Sequence, residues 1–84
     1  MMNLTLRYFA SIREALGTGS ETWQTEATTL AALRDELIAR GGAYAERLSR
    51  DRPVRMALNQ DLCDESVALS DGAEVALFPP VTGG

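Results

Sequence analysis

The sequence predicts one α+β domain, in which a main helix packs on one face of a mixed sheet and a flexible C-terminal tail follows the last strand. Three observations predict it. Short apolar alternations recur at residues 3–9, 54–58 and 75–78, the period of half-buried strands. A single leucine stripe with helical spacing lies between them. A strong turn signal, Asp71-Gly72, and a proline pair, Pro79-Pro80, then delimit the last strand.

Taken in order, residues 3–9 place Leu4, Leu6 and Tyr8 on one strand face, so Phe9 points to the other. Residues 11–16 form one or two helical turns ending at Gly17. Residues 21–27 read as a second strand carrying Trp23 among threonines. Thr28 or Thr29 caps a helix whose stripe is Leu30, Leu33, Leu37 and Ile38, and Gly41-Gly42 stops it. A short helix at 43–50 pairs Tyr44 with Leu48. Val54, Met56 and Leu58 alternate as a third strand, followed by a polar turn at Asn59-Gln60-Asp61. Short strand fragments are expected at 62–63 and 67–69. In the last strand Val75 and Leu77 form the core pair, which puts Phe78 on the opposite face. The cheapest way to bury the leucine stripe is across a mixed sheet. The order of elements matches the β-grasp arrangement of ubiquitin, with residues 1–78 as the domain and residues 79–84 as an extended tail.

Bulk composition removes whole classes of function. The 84 residues lie near the lower limit for a self-sufficient core, and 45% of them are hydrophobic. Cys63 is the lone cysteine, so no internal disulfide forms, and a cytoplasmic protein is expected. No apolar run approaches the roughly 18 residues of a membrane span. With a net charge of −4 and interspersed signs, no basic stripe is present for nucleic acid. All eight basic residues are arginine. A phosphate loop of the Walker type lacks its lysine, and a Ser-His-Asp triad or a histidine-based zinc site is excluded. No metal site is expected.

The chain ends in Pro79-Pro80-Val81-Thr82-Gly83-Gly84. Prolines favour an extended backbone, and six extended residues reach about 20 Å at about 3.3 Å each. The glycines carry no side chain, so a narrow channel in a partner admits them and approaches the carboxylate closely. That carboxylate has an ordinary pKa near about 3.5, is ionised, and can attack the α-phosphate of ATP. A bare Gly-Gly ending reads as a frayed terminus. A Gly-Gly ending a few residues past a turn and strand in a small α+β chain reads as a chemical group. Cys63, between Leu62 and Asp64 with no lysine or histidine nearby, reads as structural rather than as a relay thiol, and Trp23 and Tyr44 as packing groups.

The final FPPVTGG, the preceding LSDGAEVAL, the opening RYFASIREALG and the helix TLAALRDELIA together resemble the small, sulfur-carrying subunit of molybdopterin synthase. The resemblance covers nearly the whole chain. It implies that a ubiquitin-activating-type enzyme, holding ATP in trans, adenylates Gly84, and that sulfur then displaces AMP to leave a thiocarboxylate. The tail, Pro79 to Gly83, would insert into the large synthase subunit and deliver sulfur to cyclic pyranopterin monophosphate. The family assembles two small subunits on a dimer of the large one. Positions matching Phe9, Leu62 and Phe78 face the large subunit. The chain itself would bind no cofactor and would not be an enzyme alone, the catalytic pocket belonging to the large subunit. Three alternatives remain: a sulfur carrier for thiamin thiazole synthesis; a ubiquitin-like protein modifier, which without lysine could not polymerise on itself; and a fused-domain relic or interaction module with no tail chemistry.

Overall fold

The computed structural model describes residues 1–80. Strand β1 (Met2–Tyr8) buries Leu4, Leu6 and Tyr8 and turns the intervening residues outward. Past its end, Ala10 adopts a left-handed backbone angle, φ 53°, which swings the chain into α1 (Ala10–Leu16). Strand β2 (Ser20–Thr25) runs antiparallel to β1 with Trp23 opposite Leu4. The expected extension of this strand to Ala27 does not occur. Buried Thr25 accepts the Ala27 N–H on its hydroxyl at 2.9 Å, and the chain turns there.

Helix α2 (Leu30–Ile38) starts at Thr29, whose hydroxyl accepts the Ala32 N–H at 3.2 Å. Leu30, Leu33 and Leu37 are fully buried, whereas Ile38 is only half-buried and Arg34 is buried in the same stripe. The helix stops at Ile38, ahead of the glycine pair, as Arg40 and Gly41 donate their N–H groups to the carbonyls of Leu37 and Ile38. Gly41, at φ 77°, opens α3 (Gly42–Leu48). The glycines therefore separate two helices rather than simply ending the first.

Strands β3 (Arg55–Leu58) and β4 (Asp61–Leu62) form a hairpin. Its turn residues Asn59 and Gln60 both have positive φ, 51° and 72°, the geometry that suits a tight two-residue hairpin. Cys63 lies just beyond β4, and the expected fragment at 67–69 is no strand, only an isolated bridge between Ala68 and Thr29. The cause is helix capping. The carbonyls of Val67 and Glu65 accept the N–H groups of Leu30 and Ala31 at 3.2 and 2.9 Å, donors that the first turn of α2 leaves free.

Strand β5 (Glu74–Phe78) completes the sheet in the order β2-β1-β5-β3-β4. It pairs parallel with β1, Tyr8 opposite Leu77, and antiparallel with β3, Leu77 opposite Met56. The two ends of the domain thus meet in the middle of a mixed sheet. Ile12 of α1, the leucines of α2 and Leu48 of α3 join Leu4, Leu6, Met56, Val75 and Leu77 in one core. Three helices, not one alone, contribute to it. The fold is an α+β, ubiquitin-like β-grasp. Among the described residues no helix is long and apolar enough to cross a membrane.

Candidate functional site

The alternation that buries Val75 and Leu77 leaves Glu74, Ala76 and Phe78 on the sheet face turned away from the helices. Arg7 of β1 and Ala57 of β3 stand in register with Ala76 on that face. Together with Phe9, Leu62 and Pro79 they line an open trough of about 640 Å³. Phe9 is 42% exposed and Leu62 60% exposed, while Phe78 is half-buried. The two phenylalanines meet edge to face, centroids 6.4 Å apart and planes at 87°. The Arg7 guanidinium lies 5.9 Å from the centre of the Phe9 ring and 3.5 Å from the Glu74 carboxylate. The rim is therefore charged and the floor apolar, the arrangement of a surface that another protein covers.

Strand parity places Phe78 in this trough, but it reaches Phe9 by a different route than the sequence implied. Phe9 lies past β1, as the residue that precedes α1, and the left-handed angle at Ala10 follows it immediately. Leu62 and Pro79, which the resemblance singled out, line the trough as well, whereas Arg7, Ala57, Glu74 and Ala76 escaped notice in the sequence. The signal was available, because Glu74 and Ala76 share the parity of Phe78. Pro79 and Pro80, both half-buried, carry the chain off the end of β5 beside the trough. Val81, Thr82, Gly83 and Gly84 lie outside the described residues.

Two polar clusters elsewhere are structural. The Glu21 carboxylate accepts hydrogen bonds from Tyr8, Tyr44 and Arg40 at 2.6, 2.8 and 2.9 Å. Burial pushes this carboxyl upward, but the three donors outweigh it and hold it below its ordinary value. Burial, and the bond to Glu21, push the Tyr8 phenol well above the usual range. Arg40 stacks on Tyr44 and Trp23, 3.8 and 4.6 Å from their centroids, so both rings pack as expected. The second cluster centres on buried Arg34, which donates to the carbonyls of Leu48, Ser49 and Arg52 and to Glu65. Cys63 is half-buried against the core. No group of three potential metal-ligating side chains occurs among the described residues.

Comparison with known proteins settles the relationship. The ThiS family profile matches residues 6–84. The chain belongs to the ThiS family. Among relatives, the molybdopterin synthase sulfur carrier subunit of Escherichia coli is 40% identical over 77 residues, covering 92% of this chain and 94% of that one. Small archaeal modifier protein 3 of Haloferax volcanii is 38% identical over 93 residues, covering 99% of this chain and all of its own length (100%). Among solved structures, a chain from the complex of subunits 1 and 2 of molybdopterin-converting factor of Helicobacter pylori superposes with a TM-score of 0.70. It is 30% identical, with 99% of this chain and 100% of that chain covered. This ThiS-family chain is thus similar, end to end, both to sulfur carriers and to a protein modifier.

Proposed function

We propose that this chain is a sulfur carrier of the molybdopterin-synthase type, with the Gly84 carboxylate as its working group. The observation that carries the reading is the similarity to a molybdopterin synthase sulfur carrier subunit over 92% of this chain, with a family match running to residue 84. The apolar trough at the foot of the tail supports it.

The chemistry follows from the tail. A carboxylate oxygen of Gly84 attacks the α-phosphorus of ATP and pyrophosphate leaves. A sulfur nucleophile then attacks the acyl carbon, and AMP departs with the bonding electrons, leaving a thiocarboxylate. The lysine-free sequence carries no Walker-type phosphate loop, so an adenylating enzyme of the ubiquitin-activating kind holds the ATP. The tail, Pro79 to Gly83, next enters the large synthase subunit, where the sulfur passes to cyclic pyranopterin monophosphate. Residues 1–78 serve as the recognised body, with Phe9, Leu62 and Phe78 as the docking surface. Activation and delivery use one tail, so the two partners bind in alternation. On this reading the chain binds no cofactor, is not an enzyme alone, and works in the cytoplasm within a heterotetramer.

Similarity to a small archaeal modifier protein supports a second reading. There the same adenylate is attacked by an amine of another protein, with AMP leaving and an amide forming.

Intact mass after incubation with the adenylating enzyme, ATP and a sulfur donor separates these readings. The carrier gains the mass of one sulfur in place of one oxygen, and deletion of Gly84 or addition of one residue after it abolishes the gain. Unchanged loading of the deletion variant would sink the mechanism, and covalent adducts on other proteins would establish the modifier.

A further inference from the structure

A second, smaller depression of about 200 Å³ lies beside the point where β5 releases the tail. Pro79 and Pro80 form one wall; Ser11 of α1, Arg47 of α3 and Arg52 of the following loop form the others. Arg7, Arg34, Arg40 and Arg50 each hold a carboxylate of their own chain. Arg13, Arg47, Arg52 and Arg55 enter no such pair among the described residues, and of these Arg47 and Arg52 share one depression. The Nε–H of Arg47 is buried and meets no acceptor there. The neighbouring acid Asp51 is exposed and takes a hydrogen bond from the Ser49 hydroxyl, which together with the nearby Arg52 charge holds its carboxyl below the ordinary value. A covered donor without an acceptor is unfavourable, and a carboxylate that enters the depression comes up against the Arg47 charge.

We propose that Arg47 and Arg52 form a cleft for a carboxylate side chain on the partner protein that grips the tail, and that this ion pair fixes the direction in which the tail leaves the domain. Only the identity of that partner rests on the sulfur-carrier reading. A protein that seizes residues beyond Pro80 comes up against the proline wall, which borders both the trough and this cleft. A guanidinium fork matches a carboxylate with two parallel hydrogen bonds and so sets orientation as well as attraction. The whole chain carries −4, so an acidic partner surface is repelled except where arginine is concentrated, which confers register on the encounter. A nucleotide phosphate does not fit the site. ATP reacts at Gly84, four residues past Pro80 and about 13 Å away when extended, at about 3.3 Å per residue.

The test is calorimetric titration of the complete chain with the large synthase subunit over a salt series. Arg52→Gln is the primary variant, because the Arg52 side chain is exposed and its backbone carbonyl, which Arg34 uses, is retained. We expect about tenfold weaker binding at low salt and a flatter salt dependence for Arg52→Gln, and weaker binding with the salt slope retained for Arg47→Lys, which keeps the charge but loses the fork. Phe78→Ala weakens binding with the salt dependence unaltered. Wild-type affinity and salt slope in Arg52→Gln would overturn the proposal. If the wild-type chain itself fails to bind the large subunit, the functional reading falls, and the cleft's partner with it. The arginine Nε–H resonances of the full chain and of the same chain carrying a C-terminal amide at Gly84 supply the remaining control. Matching spectra leave the cleft to the partner, whereas a shift of Arg47 on amidation would hand it to the chain's own terminal carboxylate.

Discussion

Phe9 and Phe78 lean on each other in a trough that the rest of the chain leaves open, and their separate contributions can be measured. In the free domain their edge-to-face contact is worth about 0.5–1.5 kcal/mol beyond the area it covers. Phe78→Ala, which also loses the area of a half-buried ring, should lower stability by less than the ~3–5 kcal/mol of a fully buried phenylalanine, and weaken binding to the large subunit by about 1–3 kcal/mol, as for an interface aromatic. Thermal melts and calorimetry on the same variant decide the matter; a large fall in Tm with unchanged affinity would make Phe78 a core residue. Glu21 gives a residue-scale prediction of the opposite kind, about folding and not docking. Its carboxyl titrates below its ordinary value in the folded chain, so its contribution is fully present above the unfolded carboxylate pKa of about 4.3 and is lost as pH falls through the lower, folded value. Glu21→Gln should cost about 1.5–3 kcal/mol at neutral pH, the range for hydrogen bonds to a charged group. The gap from wild type should close in acid; a gap independent of pH in denaturant titrations would remove the charge from the account. The side of the sheet that Phe78 takes was legible in the sequence; the role of Glu21 was not. Glu21 there is one more polar residue in a strand, and its three donors come from β1, from α3 and from the turn between α2 and α3.

Among the elements, α2 and what it holds show most plainly what a one-dimensional pattern conveys. Thr29 announced the start of the helix and the leucine spacing its buried face, because both signals depend on neighbours a few residues away. Arg34 looked like a polar gap in the stripe. It is 4% exposed because three carbonyls, from the end of α3 and the loop after it, converge on its guanidinium and leave it no reason to reach for water. Replacing Arg34 by Met keeps the stem and strands those carbonyls and Glu65, which should cost about 3–5 kcal/mol, the range for breaking one side of a buried ionic cluster. Amide exchange should rise first in α3 and in residues 49–52. Exchange that rises uniformly instead would mean the arginine supports the whole core and not that one junction. The segment at 67–69 failed as a strand for a related reason. Its apolar alternation was real, but the free N–H groups at the head of α2 claimed its carbonyls before any sheet edge did.

At the scale of the whole molecule, the order of elements and the inner faces of the first, third and last strands could be read from the sequence. Each strand's inner face is written in every second residue, and a slip of one would expose it. The trough was legible only in part. Phe78 followed from parity, whereas Phe9 owes its place to the angle at Ala10, where nothing in an alanine signals positive φ. The arginine cleft was not legible, since it draws together α1, the end of α3, a loop and the tail root. Placing β5 in the middle of the sheet has a mechanical corollary. When a channel draws on the tail, tension runs straight into a strand clamped on both sides, by β1 along Thr5 to Tyr8 and by β3 along Arg55 to Leu58. Force along the strand axis strains both ladders in shear, all rungs at once, where an edge strand would unzip rung by rung. The domain behaves as a stopper on a cord, and a pull strong enough to seat the tail ends at the sheet without unravelling it.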